Sequence, residues 1–544
     1  MGADLLEQRP QRIFLSVFRK NVKLVDILPL LWHGRFSTHT HAKETQMNLV
    51  HQIENLREEF HPAFEQFMLL ACRLEGKTAG EMKHGEIEAL VFEAGNEANR
   101  LLLQAHFDLR CNLEERRESV TGSDGVVRTH CRCGCERSLM TVFGKVTVRR
   151  RGYSASGVQS VFPMDGELNL PQDKYSHGLR YRVAEEVASH SFDEAVANID
   201  KTTGGKVPKR QAEEVAVRAA QDFEGFYSSR DTQGPEQTSD ILVMTVDQKG
   251  VVMRKEDLRP ATQKAAQKAV SRPGTRLSPG EKRNRKRMAT VAGVYTIEAR
   301  ERSPEMIMGL SPEEDKPARS KCRNKRVWAS VEQEPEAVIQ AMLDEALRRD
   351  PDKKRPWAVL LDGGEKQLDI VLNLICRHQP AVTVILDFIH VLEYLWKAAY
   401  SFCAVGSKEA EQWVAERALK ILQGNASGVA KRLRQSTGLD KLSQDKRKAV
   451  EKCADYLKKY EVLLHYDLFL TKGLPIATGV IEGACRHLIK DRMDLTGARW
   501  RLKRAEAVLR IRSLRSSGDL DAYWTFHEAQ EQKRNHSYAA QEAA

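Results

Sequence analysis

Apolar residues along the chain follow two kinds of spacing. Ile241–Val246 and Trp357–Leu361 are continuous apolar runs, which are typical of strands buried on both faces. In residues 46–117, 170–230 and 396–476, apolar residues instead recur at intervals of three and four, which predicts helices. The pattern therefore predicts a mixed α/β protein in which helical regions surround a sheet.

An acidic residue follows each of the two runs, and a third lies in a predicted helix. Asp247 and Asp362 come directly after the runs, where a carboxylate would point into the crevice in which open α/β sheets bind ligands. Glu482 lies in the stretch Ile476–Lys490, whose apolar residues have helical spacing. A single Asp at the end of an apolar run is more often a turn residue or a helix cap. Brought together, however, three such carboxylates can hold two divalent metal ions for phosphoryl transfer.

The segments around these acidic residues are long and irregular, so a match to them is specific. Two of them closely resemble the catalytic core of DDE-type insertion-sequence transposases of the ISKra family: VTVILDFIHVLEYLWKAAY (Val382–Tyr400) and TGVIEGACRHLIKDRMDLTGARW (Thr478–Trp500). A third, MTVDQKGVVMR around Asp247, is similar to the first catalytic segment of that family. The resemblance covers roughly residues 170 to 510. It implies an α/β RNase H-like catalytic core with an all-helical insertion, preceded by helical and small β (ribbon-like) N-terminal regions.

The resemblance also implies roles for individual acidic residues. In an RNase H-like layout the second metal-binding Asp normally ends the fourth strand, which favours Asp362. Asp387 ends the fifth strand, in a segment that resembles the DxFH signature of related transposases, and is either an alternative ligand or a residue that orients the site. His390, at the start of the next helix, is its natural partner. The five expected strands are Ile241–Val246, Met288–Ile297, Arg326–Val331, Trp357–Leu361 and Val382–Leu386.

The activity that the resemblance implies is metal-dependent cleavage of DNA at the ends of an insertion sequence, followed by strand transfer. Two Mg²⁺ or Mn²⁺ ions would be held by Asp247, Asp362 and Glu482. Arg486 and Arg492, shortly after Glu482, would contact phosphates near the scissile bond. The expected partners are double-stranded transposon ends and target DNA, and because two ends must be joined, we expect a homo-oligomer.

The charge of the chain also indicates a polyanionic partner. The formal net charge is +11, and the stretch from Met253 to Met288 is rich in Lys, Arg, Pro and Gly with few apolar anchors. We expect a mobile loop there that contacts DNA phosphates, with a solvated linker as the alternative. Its densest basic cluster consists of Arg283, Arg285, Lys286 and Arg287.

A second candidate DNA-binding region precedes the core. SFDEAVANIDKTTGGKVPKRQAEEVAVRAA, which begins at Ser191, contains two predicted helices separated by a turn at Gly204-Gly205. The second helix opens at Pro208. This arrangement fits a helix-turn-helix, in which Lys209 and Arg210 at the start of the second helix would face the major groove.

Most of the ten cysteines are isolated and predict reduced thiols, but three are clustered. Cys131, Cys133 and Cys135 follow His130 directly, and such soft ligands suit zinc. The next residues resemble the small β-domain of the transposase family, in which a second cysteine pair commonly follows the RRRGY-like strand. Here that place reads SASGVQS and has no cysteine. The alternatives are therefore a closed four-ligand zinc site, for which the second cysteine pair is missing, and a cysteine-rich turn or degenerate ribbon that folds without metal.

Length and hydropathy set the expected organisation of the chain. Its 544 residues are too many for one ordinary core, and no run approaches the roughly twenty apolar residues of a membrane span. The start has no apolar segment typical of a secretory signal, so we expect a soluble cytoplasmic protein associated with the nucleoid. The expected regions are 1–118 (helical), 119–165 (small, β, with cysteines), 166–235 (helix-turn-helix-like), 236–398 (first part of the core), 399–475 (helical insertion), 476–515 (helix of the catalytic Glu) and 516–544 (C-terminal tail).

Two other functional classes compete with an active transposase. One is a transposase-derived protein that binds specific DNA sequences without catalysis, but such a protein would be expected to have lost an acidic ligand, and all three are present. The other is an RNase H-like nuclease acting on hybrids or junctions. The long helical insertion and the separate helix-turn-helix-like region argue against a nuclease.

Overall fold

The computed structural model describes residues 56–230, 234–268, 284–310, 321–378, 381–436, 442–477, 479–495 and 497–536. The chain divides into two compact units, Met1–Met164 and Asp165–Ala544. The helix α4 (Pro163–Glu167) contains the boundary between them. The first ten residues of the helical region predicted from Gln46, and Arg283 of the basic cluster, lie outside the described residues.

The first unit contains the predicted N-terminal helices and a small β region. Its helices are α1 (His61–Glu75), α2 (Lys77–Gly80) and α3 (His84–Leu113), and its strands are β1 (Val120–Thr121), β2 (Val127–Arg128), β3 (His130–Thr141) and β4 (Gly144–Ser154). β1 pairs with β2 and β3 with β4, both antiparallel. The amide of Gln104 in α3 bonds both backbone groups of Thr147 in β4, at 2.8 and 2.9 Å. This contact fixes the long helix against the hairpin.

The second unit is built around a five-stranded sheet, and all five predicted strands are confirmed. In the sheet order these strands are β7 (Arg323–Ser330), β6 (Lys286–Ile297), β5 (Ile241–Val252), β8 (Trp357–Leu361) and β9 (Val382–Leu386). β5, β6 and β7 run antiparallel to one another, whereas β8 and β9 run parallel to β5. Every residue of Ile241–Val246 is buried, which explains why the sequence is apolar at each of these positions.

Helices cover the sheet and form two cores with it. One core joins Val243, Leu360 and Ile385 of the sheet to the helices that follow β9. The other joins Val291 and Val327 to the segment that carries Glu482 and to the helix after it. The helices between the strands are α9 (Pro260–Lys268), α10 (Pro304–Ile307), α11 (Pro335–Arg349) and α12 (Glu365–His378), with a short 3₁₀ helix at Lys255–Asp257.

The insertion between β9 and the segment of Glu482 is helical, as predicted. It contains α13 (Phe388–Phe402), α14 (Lys408–Leu422), α15 (Ala426–Arg434), α16 (Gln444–Lys459), the 3₁₀ helix Glu461–Leu463 and α17 (Tyr466–Thr471). The remaining helices of the core are α18 (Gly479–Ala484), a π-helical turn at Cys485–Lys490, α19 (Asp491–Met493), α20 (Leu502–Ser517) and α21 (Leu520–Asn535).

The edge strand β7 is closed by side chains of α20. Ser517 Oγ accepts from the N–H of Val327 (3.0 Å), and Ser513 Oγ accepts from the N–H of Ala329 (3.3 Å). Beyond the strand end, Glu506 accepts from two consecutive backbone N–H groups, at 2.9 and 3.1 Å. The donors that an edge strand would leave open are therefore satisfied by the helix.

A buried ion cluster ties β7 to α11. Glu345 in α11 contacts Arg326 of β7 (2.7 Å) and also Arg348 (2.8 Å) and Arg349 (2.7 Å) of its own helix. Burial alone would raise the pKa of the Glu345 carboxyl, but the three guanidinium groups lower it to about 2.

The helix-turn-helix-like region consists of the two predicted helices together with two more. They are α5 (His177–Ser189), α6 (Phe192–Thr202), α7 (Lys209–Ala219) and α8 (Phe223–Ser229). Ser191 and Glu194 form a capping box at the start of α6, and α7 begins directly after Pro208.

Among the residues that the structure describes, each helix is too short or too polar to span a bilayer.

Candidate active site

A cavity of about 570 Å³ lies beside the carboxyl ends of β8 and β9. It brings together residues that are far apart in sequence, including all four acidic residues predicted for the site. The predicted residues that line it are Asp247, Asp362, Asp387, His390, Glu482 and Arg486. Lys249 and Lys490 also line it, so that the acidic groups are accompanied by cations able to contact phosphate.

The register of the parallel strands brings the three aspartates to one level. Thr245 of β5 pairs with Leu360 of β8, and Leu361 of β8 pairs with Leu386 of β9. Continuing this register by one or two residues sets Asp247 of β5 level with Asp362 and Asp387, which directly follow β8 and β9. Each aspartate follows an apolar run because the strand beneath it is buried.

Asp247 lies within β5 and not at its end, which corrects the sequence prediction. The strand continues to Val252 because Gln248, Lys249 and Gly250 pair with the start of β6 although they are not apolar. The backbone N–H of Gln248 donates to Oδ1 of Asp247 (2.6 Å), and the thiol of Cys485 donates to Oδ2 (3.0 Å). Both carboxylate oxygens are therefore oriented by a donor.

Cys485 is a residue of the site that sequence reasoning missed. The helical spacing of Ile476–Lys490 predicts only that Cys485 lies on an apolar helix face, yet this buried thiol donates to Asp247. Burial, followed by the negative charge of Asp247, raises the pKa of the Cys485 thiol. Its position three residues after Glu482 is the one signal that could have placed it on the side facing the sheet.

The loop after β8 is held by hydroxyl groups of the helical insertion. Asp362 Oδ1 accepts from the N–H of Gly364 (2.9 Å). Its backbone carbonyl accepts from the hydroxyl of Tyr456 (3.2 Å), and that of Gly363 accepts from Tyr460 (2.7 Å). Gly363 has φ of 86°, in the region that favours glycine, so this loop combines an unusual backbone with two external donors.

Asp387 caps the helix α13 while lining the same cavity. Its Oδ1 accepts from the N–H of Ile389 (2.7 Å), and the residue is only 6% exposed. The hydroxyl of Tyr466 donates to the carbonyl of Leu386 (2.8 Å), directly before it. Asp387 thus has the contacts of a helix cap and the location of a ligand, and the choice between Asp362 and Asp387 as second ligand stays a prediction.

Glu482 lies in the first turn of α18 and is exposed to the cavity. Within the described residues, no hydrogen bond or ion pair holds its carboxylate. The π-helical turn that starts at Cys485 follows it directly, and such turns occur frequently at functional sites. Arg486 is also exposed and lies 3.7 Å from Asp491.

Arg492 does not have the position that a phosphate contact requires, which corrects its assignment. It is only 2% exposed, and its guanidinium donates to the carbonyl of Val187 (3.0 Å) in α5. Its charged group also lies over the rings of Phe192 and Trp500. Burial lowers the pKa of Arg492 to about 10. Arg492 therefore joins α5 to the segment of Glu482.

The donor atoms of the acidic side chains in the cavity suit a divalent cation better than the spacing of these side chains does. Carboxylate oxygens are the donors that Mg²⁺ and Mn²⁺ prefer, and the four acidic residues provide them. In the described part of the chain, however, no three His, Cys, Asp or Glu side chains converge closely enough to form a group of metal ligands. Three aspartates are fixed by hydrogen bonds, whereas Glu482 is not.

The predicted DNA-binding residues outside the cavity have different surroundings. Lys209 forms an ion pair with Asp193 (2.6 Å), and Arg210 has a side chain that is 85% exposed at the start of α7. Arg285 is exposed before β6, and Lys286, in β6, lies 3.9 Å from Asp494.

The predicted loop from Met253 to Met288 contains regular structure at both ends, which corrects the expectation there. α9 lies within it and β6 begins at Lys286. Arg287 belongs to β6, and its guanidinium donates to the carbonyls of Val331 (2.7 Å) and Asp257 (3.2 Å). Since these contacts occupy the guanidinium, Arg287 contributes to packing.

The cysteine cluster occupies the start of β3 in the first unit. Gly134 has φ of 65° at an irregularity in the β3–β4 register, which separates Cys133 from Cys135. The sulfur of Cys133 accepts from Arg151 (2.8 Å), and the thiol of Cys135 donates to a backbone carbonyl at 3.7 Å. Cys131, Cys133 and Cys135 are free thiols, and they do not form a metal-binding group with any other described residue.

Comparisons with known proteins add little to this geometry. No protein-family model matches the chain, and no curated protein matches it in sequence. Among solved structures, the chain is similar to one described as the Drosophila P element transposase strand transfer complex, with a TM-score of 0.22 and 10% sequence identity. That match covers 65% of this chain and 80% of the other. A likeness of this size shows neither the fold nor the function of this chain.

Proposed function

We propose that this protein is a DDE-type transposase of the ISKra type, which cleaves the DNA ends of an insertion sequence and joins them to target DNA. The observation that carries the proposal is that Asp247, Asp362, Asp387 and Glu482 all line one cavity. Asp247 of β5, the two aspartates that directly follow β8 and β9, and Glu482 on a helix that lines the same cavity suit in-line phosphoryl transfer.

The topology of the sheet supports an RNase H-like core. The first three strands in chain order, β5, β6 and β7, pair antiparallel in that order. β8 then pairs in parallel with β5, and β9 pairs in parallel with β8. This is the layout that the resemblance implies, and it puts the second and third aspartates at adjacent strand ends. The all-helical insertion and the helix of the catalytic Glu follow in the implied sequence.

In this proposal Asp247, Asp362 and Glu482 hold two Mg²⁺ or Mn²⁺ ions, with Asp387 as the alternative second ligand. When bound, the ions supply activation of the attacking oxygen and stabilisation of the leaving oxygen. Hydrogen bonds orient the carboxylates of Asp247 and Asp362. The exposed Glu482 has no hydrogen bond or ion pair to a described residue and is free to complete the set of metal ligands. Arg486, exposed at the cavity, binds a phosphate next to the scissile bond.

Recognition of the DNA ends is assigned to the helix-turn-helix-like region. The second helix of the predicted pair, α7, presents Lys209 and Arg210 at its start, where major-groove contacts usually arise. The basic residues Arg285 and Lys286 near the start of β6 add contacts to the DNA backbone. Because the two ends of one element must be joined, the active form is a homo-oligomer.

The test is strand transfer by purified protein on the DNA ends that flank its own gene, with and without Mg²⁺ or Mn²⁺. We expect a metal-dependent product that is lost in Asp247→Asn, Asp362→Asn and Glu482→Gln while DNA binding remains. Asp344→Asn is the matched control, since Asp344 is an exposed acid of α11 that does not line the cavity. Loss in Asp387→Asn but not in Asp362→Asn would move the second ligand to Asp387.

A DNA-binding protein without catalysis is the second candidate. The absence of a converged set of three ligands among the described residues favours it. Specific binding to the flanking DNA, without product in any variant or metal, would establish this alternative. Cleavage of RNA–DNA hybrids in preference to element ends would instead favour an RNase H-like nuclease.

A further inference from the structure

The Asp247 carboxylate is held from two sides by different elements. The N–H of Gln248 comes from its own strand, whereas the thiol of Cys485 comes from the segment that carries Glu482. Since a carboxylate otherwise rotates broadly about its last side-chain bond, two donors on two oxygens fix its plane. Among the hydrogen bonds of the described residues, that of the thiol is the one that links this plane to the facing helix.

The position of the thiol is itself strongly constrained. Cys485 is 5% exposed and packs in a core with Ile481 and Leu488 on its own segment and Val291 on the sheet. It begins the π-helical turn three residues after Glu482. Packing on both sides leaves little freedom for the sulfur, so its hydrogen bond also fixes the separation between β5 and the helix of Glu482.

We propose that Cys485 is a positioning residue of the candidate active site. Its S–H group orients the carboxylate of Asp247 and sets the distance from that carboxylate to Glu482, and it acts on metal binding only through Asp247. This inference rests on the proposed function, because it concerns the same carboxylates. It adds a residue whose chemistry is a hydrogen-bond donor, not a ligand or a nucleophile.

A competing reading makes Cys485 an ordinary core residue that fills space. The pair Cys485→Ser and Cys485→Ala separates the two, because serine keeps a donor at nearly the same place and alanine does not. Cys453→Ala is the matched control: Cys453 is completely buried in the core of the helical insertion and does not line the cavity. Its truncation measures what losing any buried thiol costs the fold.

The experiment measures Mn²⁺ binding by isothermal titration calorimetry and, in parallel, the Mn²⁺ concentration that gives half-maximal strand transfer. We expect Cys485→Ala to raise both values by about 10- to 100-fold, the usual effect of removing a group that orients a metal ligand. Cys485→Ser should stay within about threefold of wild type, and Cys453→Ala should match wild type. Thermal unfolding of each variant shows that it is folded.

The outcomes separate this inference from the function on which it rests. If Cys485→Ala and Cys453→Ala bind Mn²⁺ equally well, or if Cys485→Ser is as impaired as Cys485→Ala, the positioning role is overturned while the transposase activity stands. If wild-type protein neither binds Mn²⁺ nor forms a metal-dependent product, the proposed function fails, and the positioning role fails with it.

Discussion

Tyr466→Phe removes one hydroxyl group and no other atom, so it tests whether the helical insertion supports the candidate site. Tyr466 is fully buried, and its hydroxyl donates to the carbonyl of Leu386 (2.8 Å), the residue before Asp387. Burial raises the pKa of the Tyr466 phenol well above its usual value, which favours the protonated form that donates this hydrogen bond.

The expected magnitude follows from the burial of both partners. Leu386 is also fully buried, so water does not replace the lost donor at its carbonyl. Leaving a buried acceptor without its partner costs about 1–3 kcal/mol of folding free energy. The displaced strand end carries Asp387 and adjoins Asp362, and small misplacements of reacting groups lower rates by about tenfold or more.

Tyr523→Phe is the matched control. Tyr523 is 1% exposed, and its hydroxyl donates to the carbonyl of Ala219 (2.6 Å), away from the cavity. Urea-induced unfolding should show a similar loss of stability in both variants. Single-turnover strand transfer at saturating DNA and metal should fall in Tyr466→Phe alone. Equal rates in the two variants would refute the idea that the insertion supports the site.

Four further substitutions test other parts of the structure. Arg492→Ala should destabilise the fold by about 3 kcal/mol, since a buried charged donor and its ring contacts are lost. Arg486→Ala should change the free energy of unfolding by less than about 0.5 kcal/mol but weaken DNA binding. Thermal unfolding measures the first effect, and a DNA-binding titration measures the second. Gly363→Ala should cost about 1–2 kcal/mol and reduce strand transfer, because φ is 86° and the added Cβ would lie 3.1 Å from a Leu386 methyl; normal unfolding and activity would contradict the strained turn. Because the pKa of Glu345 is lowered from 4.5 to about 2, its stabilisation is fully present above pH 4.5 and is lost as the pH falls towards 2. Glu345→Gln should thus be less stable than wild type by about 3 kcal/mol at pH 7, and urea unfolding should show the difference shrinking below pH 4.5; a constant difference would contradict it.

Much of the fold could be predicted because burial constrains the sequence directly. A strand covered on both faces, such as Ile241–Val246, requires an apolar residue at each position, and this pattern is rare elsewhere in the chain. The two helices of the helix-turn-helix-like region could be delimited because Ser191 caps the first and Pro208 precedes the second. Asp247 and Asp362 could be found because each directly follows an apolar run.

Other features depend on tertiary contacts that leave no local pattern. β5 extends past Asp247 because its backbone pairs with β6 there. The polar side chains of this part of the strand do not indicate the pairing. Arg492 and Arg287 looked like surface cations, yet their guanidinium groups are committed to backbone carbonyls of distant segments. The role of Cys485 could not be seen either, since a thiol on an apolar helix face usually only fills space.

The side chains of α20 along β7 have a consequence for how copies of this chain can associate. Because Ser513 and Ser517 occupy backbone donors of the outer strand, a second chain cannot extend the sheet by adding a strand there. An assembly of several copies therefore does not form through this edge of the sheet. A chain that ended before Leu502 would leave this edge bare and would be prone to edge-to-edge aggregation.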